Sequence, residues 1–285
     1  MNKLNKKFLY KLIIFIISLI PIKIIRRKLR ENFEYQYYSN LIKKEIKNNA
    51  STETIFVIGD SHTDIFNGHK LENKHLIIPN ITYEESLYAN ISNSPKFITY
   101  LLGACLAYTT NSKKSTFSTF KKVQYLIDNN FLPKNCIICC SFGEIDCRVH
   151  IQKQAEKQNK SIEEIIDNVI KNYGDFLLNL KNQGYKIIAY APIATQKDTV
   201  KLDKKFPRYA TEIERNYIVS IFNEKLKNFC NMQDLMYLSI FNNLVNEDGS
   251  SKGEYYLTDG VHLKPECISF IETQIKTKGN EIYVL

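Results

Sequence analysis

The stretch Thr54-Ile-Phe-Val-Ile-Gly-Asp-Ser-His-Thr63 predicts a buried strand that ends in a turn carrying a serine. The apolar run 55–58 suits a parallel strand covered on both faces, and Gly59 permits backbone angles that a side chain would penalise. Because ligands of open α/β sheets bind at the carboxyl ends of the strands, Ser61 is expected to face a substrate. The alternative is an ordinary strand-to-helix turn in which Ser61 or Thr63 caps the next helix.

A second motif, near the C-terminus, supplies a base for that serine. The chain there reads Tyr255-Tyr-Leu-Thr-Asp-Gly-Val-His-Leu263, so Asp259 and His262 flank a glycine. A carboxylate at this spacing reaches the imidazole and fixes its tautomer. A serine hydroxyl is a weak nucleophile at neutral pH and needs such a base. Alone, the pattern also fits a helix cap beside a surface histidine. It indicates a catalytic pair only in combination with the first motif.

Together the two motifs resemble those of the SGNH/GDSL hydrolase superfamily of esterases, carbohydrate deacetylases and acyltransferases. In that superfamily Gly-Asp-Ser follows the first strand and Asp-x-x-His precedes the last helix, and the resemblance spans residues 54–275. It implies that Ser61 is the nucleophile, His262 the base and Asp259 its partner. It also implies an oxyanion hole formed by the backbone N–H groups of Ser61 and Gly103.

The third block of the superfamily, Gly-x-Asn-Asp, corresponds to Gly143-Glu-Ile-Asp146, in which Ile145 replaces the asparagine. An isoleucine side chain cannot donate a hydrogen bond. Loss of one oxyanion donor costs about 3 to 4 kcal/mol, so either another group replaces it or the enzyme is slow. Arg148 is the nearest candidate, although a structural ion pair with a neighbouring carboxylate explains it equally well. The residues expected to support the substrate or the oxyanion are Asp60, His62, Glu144, Asp146 and Arg148.

The remaining pattern alternates strands and helices, which predicts a three-layer α/β/α fold around a mainly parallel, five-stranded sheet. The resemblance adds that this is the flavodoxin-like SGNH hydrolase fold. A capping box, Ser161-Ile-Glu-Glu164, begins the clearest helix, and Gly184 ends it. The predicted strands are 55–58, 75–78, 135–142, 185–191 and 235–238, a second helix covers 213–230, and 97–108 is predicted as a helix or turn carrying Gly103.

Charge is distributed unevenly along the 285 residues. The formal net charge of +9 arises from 39 Lys and Arg against 30 Asp and Glu, and nine of the basic residues lie in residues 1–30, which contain no acid. The remainder therefore carries 30 charges of each sign. It has neither a basic stripe nor a known binding motif, so nucleic acid is not an expected partner. We expect residues 1–50 to form a basic, apolar helical extension and residues 51–285 the hydrolase-like catalytic domain.

The N-terminal extension contains an apolar run at residues 8–20, interrupted by Lys11 and stopped by Pro21. The apolar part is too short for a membrane-spanning helix, which needs about 20 residues, and no small-residue cleavage site follows it. These features favour a helix lying on an anionic membrane surface, with each cation of residues 1–30 contributing about 1 kcal/mol. Packing on the domain or on a second copy of the chain is the alternative.

The seven cysteines are an odd number, and such thiols favour the reducing cytoplasm. Together with the N-terminal extension they predict a cytoplasmic protein on the inner face of the membrane. Cys136 and Cys139 have the spacing of half a zinc site, but no second pair of ligands follows, and residues three apart on a strand face opposite sides. We therefore expect no metal, and the implied chemistry requires no cofactor.

The resemblance and the N-terminal extension together predict a serine esterase that works through an acyl-enzyme. The expected substrate is an O-acylated, in particular O-acetylated, carbohydrate of a bacterial surface glycan. Two alternatives remain open. An O-acetyltransferase would use the same residues with an activated acyl donor. A non-catalytic, membrane-peripheral protein of glycan assembly would keep the fold without turnover, and Ile145 makes this alternative credible.

Overall fold

The computed structural model describes residues 3–48, 54–67, 74–76, 87–91, 96–201, 204 and 207–277. Its strands are β1 (Ile55–Gly59), β2 (Lys74–Leu76), β3 (Tyr88–Ile91), β4 (Phe97–Leu101), β5 (Ile137–Ser141), β6 (Lys186–Tyr190) and β7 (Met236–Leu238). Its α-helices are α1 (Lys3–Ser18), α2 (Lys23–Asn48), α3 (Thr119–Asp128), α4 (Ile151–Gln158), α5 (Ile162–Asn182), α6 (Glu212–Met232), α7 (Phe241–Leu244) and α8 (Ile268–Thr277).

The described strands form one sheet in the order β2-β3-β4-β1-β5-β6-β7. Strands β4, β1, β5, β6 and β7 run parallel, and β2 and β3 are antiparallel additions at one edge. Counted along the chain, the five parallel strands have the order 2-1-3-4-5, which is the flavodoxin-like arrangement. The predicted α/β class and the mainly parallel sheet are therefore confirmed. Because the chain order changes direction at β1, the carboxyl ends of β1, β4 and β5 lie side by side.

The sheet differs from the prediction in its number of strands, which is seven rather than five in the described part of the chain. Residues 97–101 form β4 and not the predicted helix or turn. Their short apolar run has no periodicity that separates a buried strand from a buried helix. The strand predicted at 75–78 corresponds to β2, an antiparallel edge strand rather than part of the parallel set, and residues 77 and 78 lie outside the described residues.

Alternate residues of the central strands bury on opposite faces of the sheet, as a strand covered on both sides requires. Phe56 and Ile58 pack with apolar residues of α3, α5 and α6. Ile55 and Val57 pack on the other face with the segment after β1 and with Ile271 of α8. The three predicted layers are therefore present, and burial of each large aliphatic side chain stabilises them by about 1.5 to 3 kcal/mol.

The predicted start and end signals of α5 are both confirmed. The Ser161 hydroxyl accepts a hydrogen bond from the Glu164 N–H, while the Glu164 carboxylate accepts one from the Ser161 N–H. These bonds satisfy two N–H groups that have no partner inside the helix. Beyond the last turn Gly184 has φ +92°, a left-handed angle that ends the helix without a Cβ clash.

The N-terminal extension consists of α1 and α2. Helix α2 joins the main core because Ile42 and Ile46 bury in the same apolar cluster as the sheet. Helix α1 packs on α2, where Tyr10 stacks near Phe33 and Tyr37. The opposite face of α1 carries exposed apolar residues. No helix among the described residues combines the length and the apolar character needed to cross a bilayer.

Gly59 marks the closest approach between β1 and β5. A Cβ at this position would lie 2.1 Å from the carbonyl oxygen of Ser141. Real Cβ atoms do not come this close to a backbone atom, so only glycine fits here. The glycine of the first motif is thus required by the packing of two neighbouring strands.

We expect Gly59→Ala to lower the free energy of unfolding by about 3 kcal/mol, because β1 and β5 must separate to admit the methyl group. Urea unfolding followed by circular dichroism measures this change. Gly253→Ala is the matched control, since its Cβ would meet only the flexible end of Lys197. Equal stability of the two variants would contradict the explanation.

Candidate active site

The turn after β1 is organised by Asp60, which leaves the serine hydroxyl available. The Asp60 carboxylate accepts a hydrogen bond from the His62 N–H at 2.9 Å. Its carbonyl accepts from the N–H and the hydroxyl of Thr63, at 3.1 and 2.9 Å. Ser61 then begins a short 3-10 helix, Ser61–Asn67, and remains partly exposed at the carboxyl edge of the sheet.

The structure brings Ser61, His262 and Asp259 into one hydrogen-bonded chain. His262 Nε2 lies 2.7 Å from Ser61 Oγ, although the two residues are 201 positions apart. His262 Nδ1 lies 2.8 Å from Asp259 Oδ2. With the Nδ1 proton donated to the carboxylate, the lone pair on Nε2 faces Ser61 Oγ and can accept the serine proton. This geometry suits a serine nucleophile with an oriented general base.

The acid of this chain is held in its charged form. Burial alone would raise the pKa of Asp259, but hydrogen bonds from His262 and from two backbone N–H groups lower it to about 2. Those N–H groups belong to Val261 and His262 and donate to Asp259 Oδ1 at 2.8 and 3.0 Å. The Asp259 side chain is therefore fixed in place and carries a negative charge at neutral pH, which stabilises a protonated imidazole.

Two backbone N–H groups, those of Ser61 and Gly103, lie at the same carboxyl edge of the sheet. The Leu102 N–H donates to the Gly59 carbonyl at 2.8 Å, which holds the end of β4 against β1 and brings Gly103 to the same edge. Gly103 has φ +96°, and a Cβ there would lie 2.7 Å from the Phe117 ring. Within the described residues, neither the Ser61 N–H nor the Gly103 N–H has a hydrogen-bond acceptor in the protein. Both donors are therefore available to a ligand.

Asp146, predicted as a support for the substrate or the oxyanion, is instead bonded to the loop after β4. Its carboxylate accepts hydrogen bonds from the N–H groups of Ala107 and Tyr108, at 2.7 and 3.2 Å. The side chain is buried. Burial raises its pKa to about 7, even though these hydrogen bonds act in the opposite direction. Asp146 therefore anchors the loop that carries Gly103.

A second, buried group of interacting side chains lies beside the Ser61–His262–Asp259 group and consists of His62, Glu144 and Arg148. Arg148 Nε donates to Glu144 Oε1 at 2.7 Å, and His62 Nε2 lies 3.0 Å from Glu144 Oε2. Arg148 also donates to the carbonyl of Pro207. These contacts favour the structural ion pair over a role for Arg148 at the oxyanion. The His62 ring lies 5.3 Å, centre to centre, from the His262 ring, so these three residues lie directly beside the Ser61–His262–Asp259 group.

The charges of His62, Glu144 and Arg148 depend on one another. Burial would raise the pKa of Glu144, but Arg148 and His62 hold it well below its ordinary value. Burial would lower the pKa of His62, yet the Glu144 carboxylate raises it above its ordinary value. Asp60 differs, because burial raises its pKa to about 6 and its Oδ2 atom has no hydrogen-bond partner in the described part of the chain.

Ile145 is partly exposed and, as the sequence indicates, contributes no side-chain donor. The candidate donors for an oxyanion, the N–H groups of Ser61 and Gly103, are therefore backbone groups. All seven cysteines are free thiols. Among the described residues there is no group of three or more His, Cys, Asp or Glu side chains arranged to hold a metal ion.

Two residues beside the site were not singled out in the sequence. Gln196 donates from Nε2 to the Asp259 carbonyl at 3.1 Å and so holds the loop that carries the acid. Lys122 of α3 is buried and donates to the Leu102 carbonyl. Neither lies in a motif, and a lysine on an amphipathic helix is normally predicted to face solvent. No sequence signal identified them.

The sequence matches the model of a known family, described as GDSL-like Lipase/Acylhydrolase, over residues 55–271. The chain belongs to the GDSL-like lipase/acylhydrolase family. This confirms the resemblance noted in the motifs and identifies the protein as an ester-hydrolysing enzyme by class. None of the curated protein sequences matches this member of the family.

Several solved structures are similar to this GDSL-like protein, and the first of them shows the same fold. A Bacteroides fragilis protein assigned as an acylhydrolase is 15% identical, with 86% of this chain and 98% of that one covered and a TM-score of 0.51. A GDSL-like lipase from Bacteroides thetaiotaomicron is 13% identical, with 86% and 98% covered and a TM-score of 0.48. An acetylxylan esterase from Geobacillus stearothermophilus is 12% identical, with 81% and 94% covered and a TM-score of 0.43.

The raised pKa of Asp146 predicts how stability depends on pH. Its pKa is about 7 in the folded protein against an ordinary value of 3.8, so between these values the folded state binds more protons than the unfolded state. The free energy of unfolding should therefore fall as the pH rises through this window. Asp146→Asn cannot titrate and should reduce that slope in urea unfolding series at several pH values. Asp128→Asn, on an exposed part of α3, is the control, and equal slopes in both variants would refute the assignment.

Proposed function

We propose that this acylhydrolase is a serine esterase that removes O-acyl groups, in particular O-acetyl groups, from carbohydrate of a bacterial surface glycan. The observation that carries the proposal is the chain of short hydrogen bonds from Ser61 through His262 to Asp259. It supplies a nucleophile, a base and an orienting acid in one partly exposed place. The proposed catalytic roles are assigned to these three residues.

In the proposed mechanism, Ser61 Oγ attacks the ester carbonyl carbon while His262 Nε2 takes its proton. The tetrahedral oxyanion accepts hydrogen bonds from the N–H groups of Ser61 and Gly103. Collapse of this intermediate breaks the ester C–O bond, and the imidazolium gives its proton to the departing sugar oxygen, which leaves as a hydroxyl group. Water, deprotonated by the same imidazole, then attacks the acyl-serine and releases the carboxylic acid. The Asp259 carboxylate stabilises the imidazolium in both halves of the reaction.

A carbohydrate alcohol is supported by an exposed aromatic ring on the loop that carries Gly103. Tyr108 follows Gly103 on the loop after β4, and it is 51% exposed. Its backbone is fixed by the hydrogen bond to Asp146, so the ring stands on an ordered loop. An exposed aromatic ring with a polar tip provides an apolar face together with a hydrogen-bonding group, which suits a sugar ring.

The N-terminal extension supports a location at a membrane surface. Helix α1, the turn that follows it and the start of α2 expose a set of large apolar side chains, namely Phe8, Leu9, Leu12, Phe15, Ile16, Leu19, Ile22, Ile24, Ile25 and Leu29. Basic side chains are interspersed among them, and residues 1–30 contain no acid. Such a surface inserts apolar groups at the acyl boundary while its cations meet anionic headgroups. We propose that the enzyme works on glycan precursors at the inner face of the membrane.

We expect Ser61→Ala to reduce kcat for p-nitrophenyl acetate by at least about a thousandfold, because the acyl-enzyme cannot form. A fluorophosphonate probe should label the wild-type protein and leave the variant unlabelled. Ser269→Ala, which removes an exposed hydroxyl on α8, is the control. Full activity in Ser61→Ala would remove the nucleophile from the mechanism, and an unlabelled, inactive wild type would favour the non-catalytic alternative.

The substrate proposal is tested with O-acetylated polysaccharide, measuring released acetate. Release that requires Ser61 supports the hydrolase. The O-acetyltransferase alternative predicts instead that product forms only when an activated acetyl donor and a sugar acceptor are both present.

The membrane proposal predicts that the full-length protein cosediments with phosphatidylcholine vesicles containing phosphatidylglycerol and not with phosphatidylcholine alone. Added salt should weaken binding because it screens the cationic residues. The double substitution Phe15→Glu and Ile16→Glu should abolish it, whereas Met232→Glu, at an exposed apolar position on α6, should not. Equal binding by both variants would contradict the assigned surface.

A further inference from the structure

Lys122 is a buried cation placed directly behind the candidate oxyanion hole. Its side chain is 2% exposed, and Nζ donates a hydrogen bond to the carbonyl oxygen of Leu102. It projects from α3, which packs over the loop after β4. Burying a lysine ammonium group costs free energy unless it is hydrogen-bonded or paired. The Leu102 carbonyl supplies one such hydrogen bond.

The Leu102 carbonyl and the Gly103 N–H are the two ends of a single peptide group. Resonance couples the oxygen and the nitrogen of that group. A cation at the oxygen draws electron density away from the nitrogen, which makes the N–H a stronger hydrogen-bond donor. A single amide group therefore connects Lys122 Nζ with the Gly103 N–H.

That peptide group is held firmly enough to transmit this effect. On one side the Leu102 N–H donates to Gly59, and on the other the Cys105 N–H donates to the Gly103 carbonyl at 2.8 Å. The Cys105 thiol adds a second hydrogen bond to the Leu102 carbonyl, at 3.3 Å. The Phe117 ring closes the space over Gly103 and lies 5.9 Å from Lys122 Nζ.

The need for such an effect follows from Ile145. The family's side-chain donor is absent at this position, so the described oxyanion donors are two backbone N–H groups. Strengthening one of them by a nearby buried charge partly replaces the missing donor. In a buried, low-dielectric surrounding this charge acts more strongly than it would in water.

We propose that Lys122 is a positioning residue that polarises the Leu102–Gly103 peptide and strengthens Gly103 N–H as an oxyanion donor. This inference rests on the proposed esterase mechanism. It assigns to Lys122 a contribution to kcat and none to the binding of the ground-state ester, whose carbonyl carries little charge.

The test compares wild type with Lys122→Gln and Lys122→Met on p-nitrophenyl acetate. Gln keeps a neutral donor, while Met keeps similar volume and has no donor. We expect kcat to fall about tenfold in Lys122→Gln and up to about a hundredfold in Lys122→Met, with KM unchanged. The inhibition constant of a trifluoromethyl ketone, which forms a tetrahedral oxyanion on Ser61, should rise by the same factors. Lys121→Met, an exposed neighbour on the same helix, should leave all three constants unchanged.

The outcomes separate this inference from the proposed function. If Ser61→Ala abolishes turnover but both Lys122 variants keep wild-type kcat, polarisation by Lys122 is wrong and the esterase mechanism stands. If Ser61→Ala retains turnover, the mechanism itself fails. A rise in KM with constant kcat would also overturn the inference. Should Lys122→Met fail to fold, Lys122→Gln still decides when kcat is taken per fluorophosphonate-labelled active site, because a merely structural role lowers the amount of folded enzyme and leaves that kcat at the wild-type value.

Discussion

The peptide group between Gly59 and Asp60 joins the three strands on which the site depends. Its carbonyl accepts a hydrogen bond from Leu102 after β4, and its N–H donates to Ser141 at the end of β5, at 3.4 Å. The missing Cβ of Gly59 allows the strands to approach this closely. Since β1 is the strand at which the order of the parallel sheet reverses, the loops on either side diverge and leave space above Ser61. This one peptide therefore sets the distances between the loops that carry Ser61, Gly103 and Glu144, while His262 joins them through its contact with Ser61.

Electrostatics divides the carboxylates around that space into two kinds. Asp259 and Glu144 have positively charged or hydrogen-bonding partners that keep them ionised, with pKa values held low. Asp60 and Asp146 are buried with fewer compensating contacts, so their pKa values rise. Of the first kind, Asp259 orients the His262 imidazole and Glu144 pairs with His62 beside it. The second kind shapes the turns that hold Ser61 and Gly103, at some cost in stability near neutral pH.

The N-terminal extension has a different physical character from the rest of the protein. The body is electrically balanced and buries its apolar residues on both faces of the sheet. The extension concentrates basic residues and exposes apolar ones on α1, while α2 connects it to the core through Ile42 and Ile46. In the proposed function this connection fixes the catalytic edge relative to a membrane surface. Hydrolysis and localisation would then depend on separate sets of residues.

The sequence by itself determined the features that arise from local physics. The apolar run before Gly59, the capping box of α5 and the Asp-x-x-His spacing each depend on neighbouring residues, and so they predicted a strand, a helix and an oriented imidazole correctly. Only the tertiary structure decided the strand identity of residues 97–101, the anchoring role of Asp146 and the burial of Lys122. Each of these depends on which distant segment supplies the partner. A short apolar run or a single charged residue looks the same in sequence whether it meets solvent, a carbonyl group or another strand.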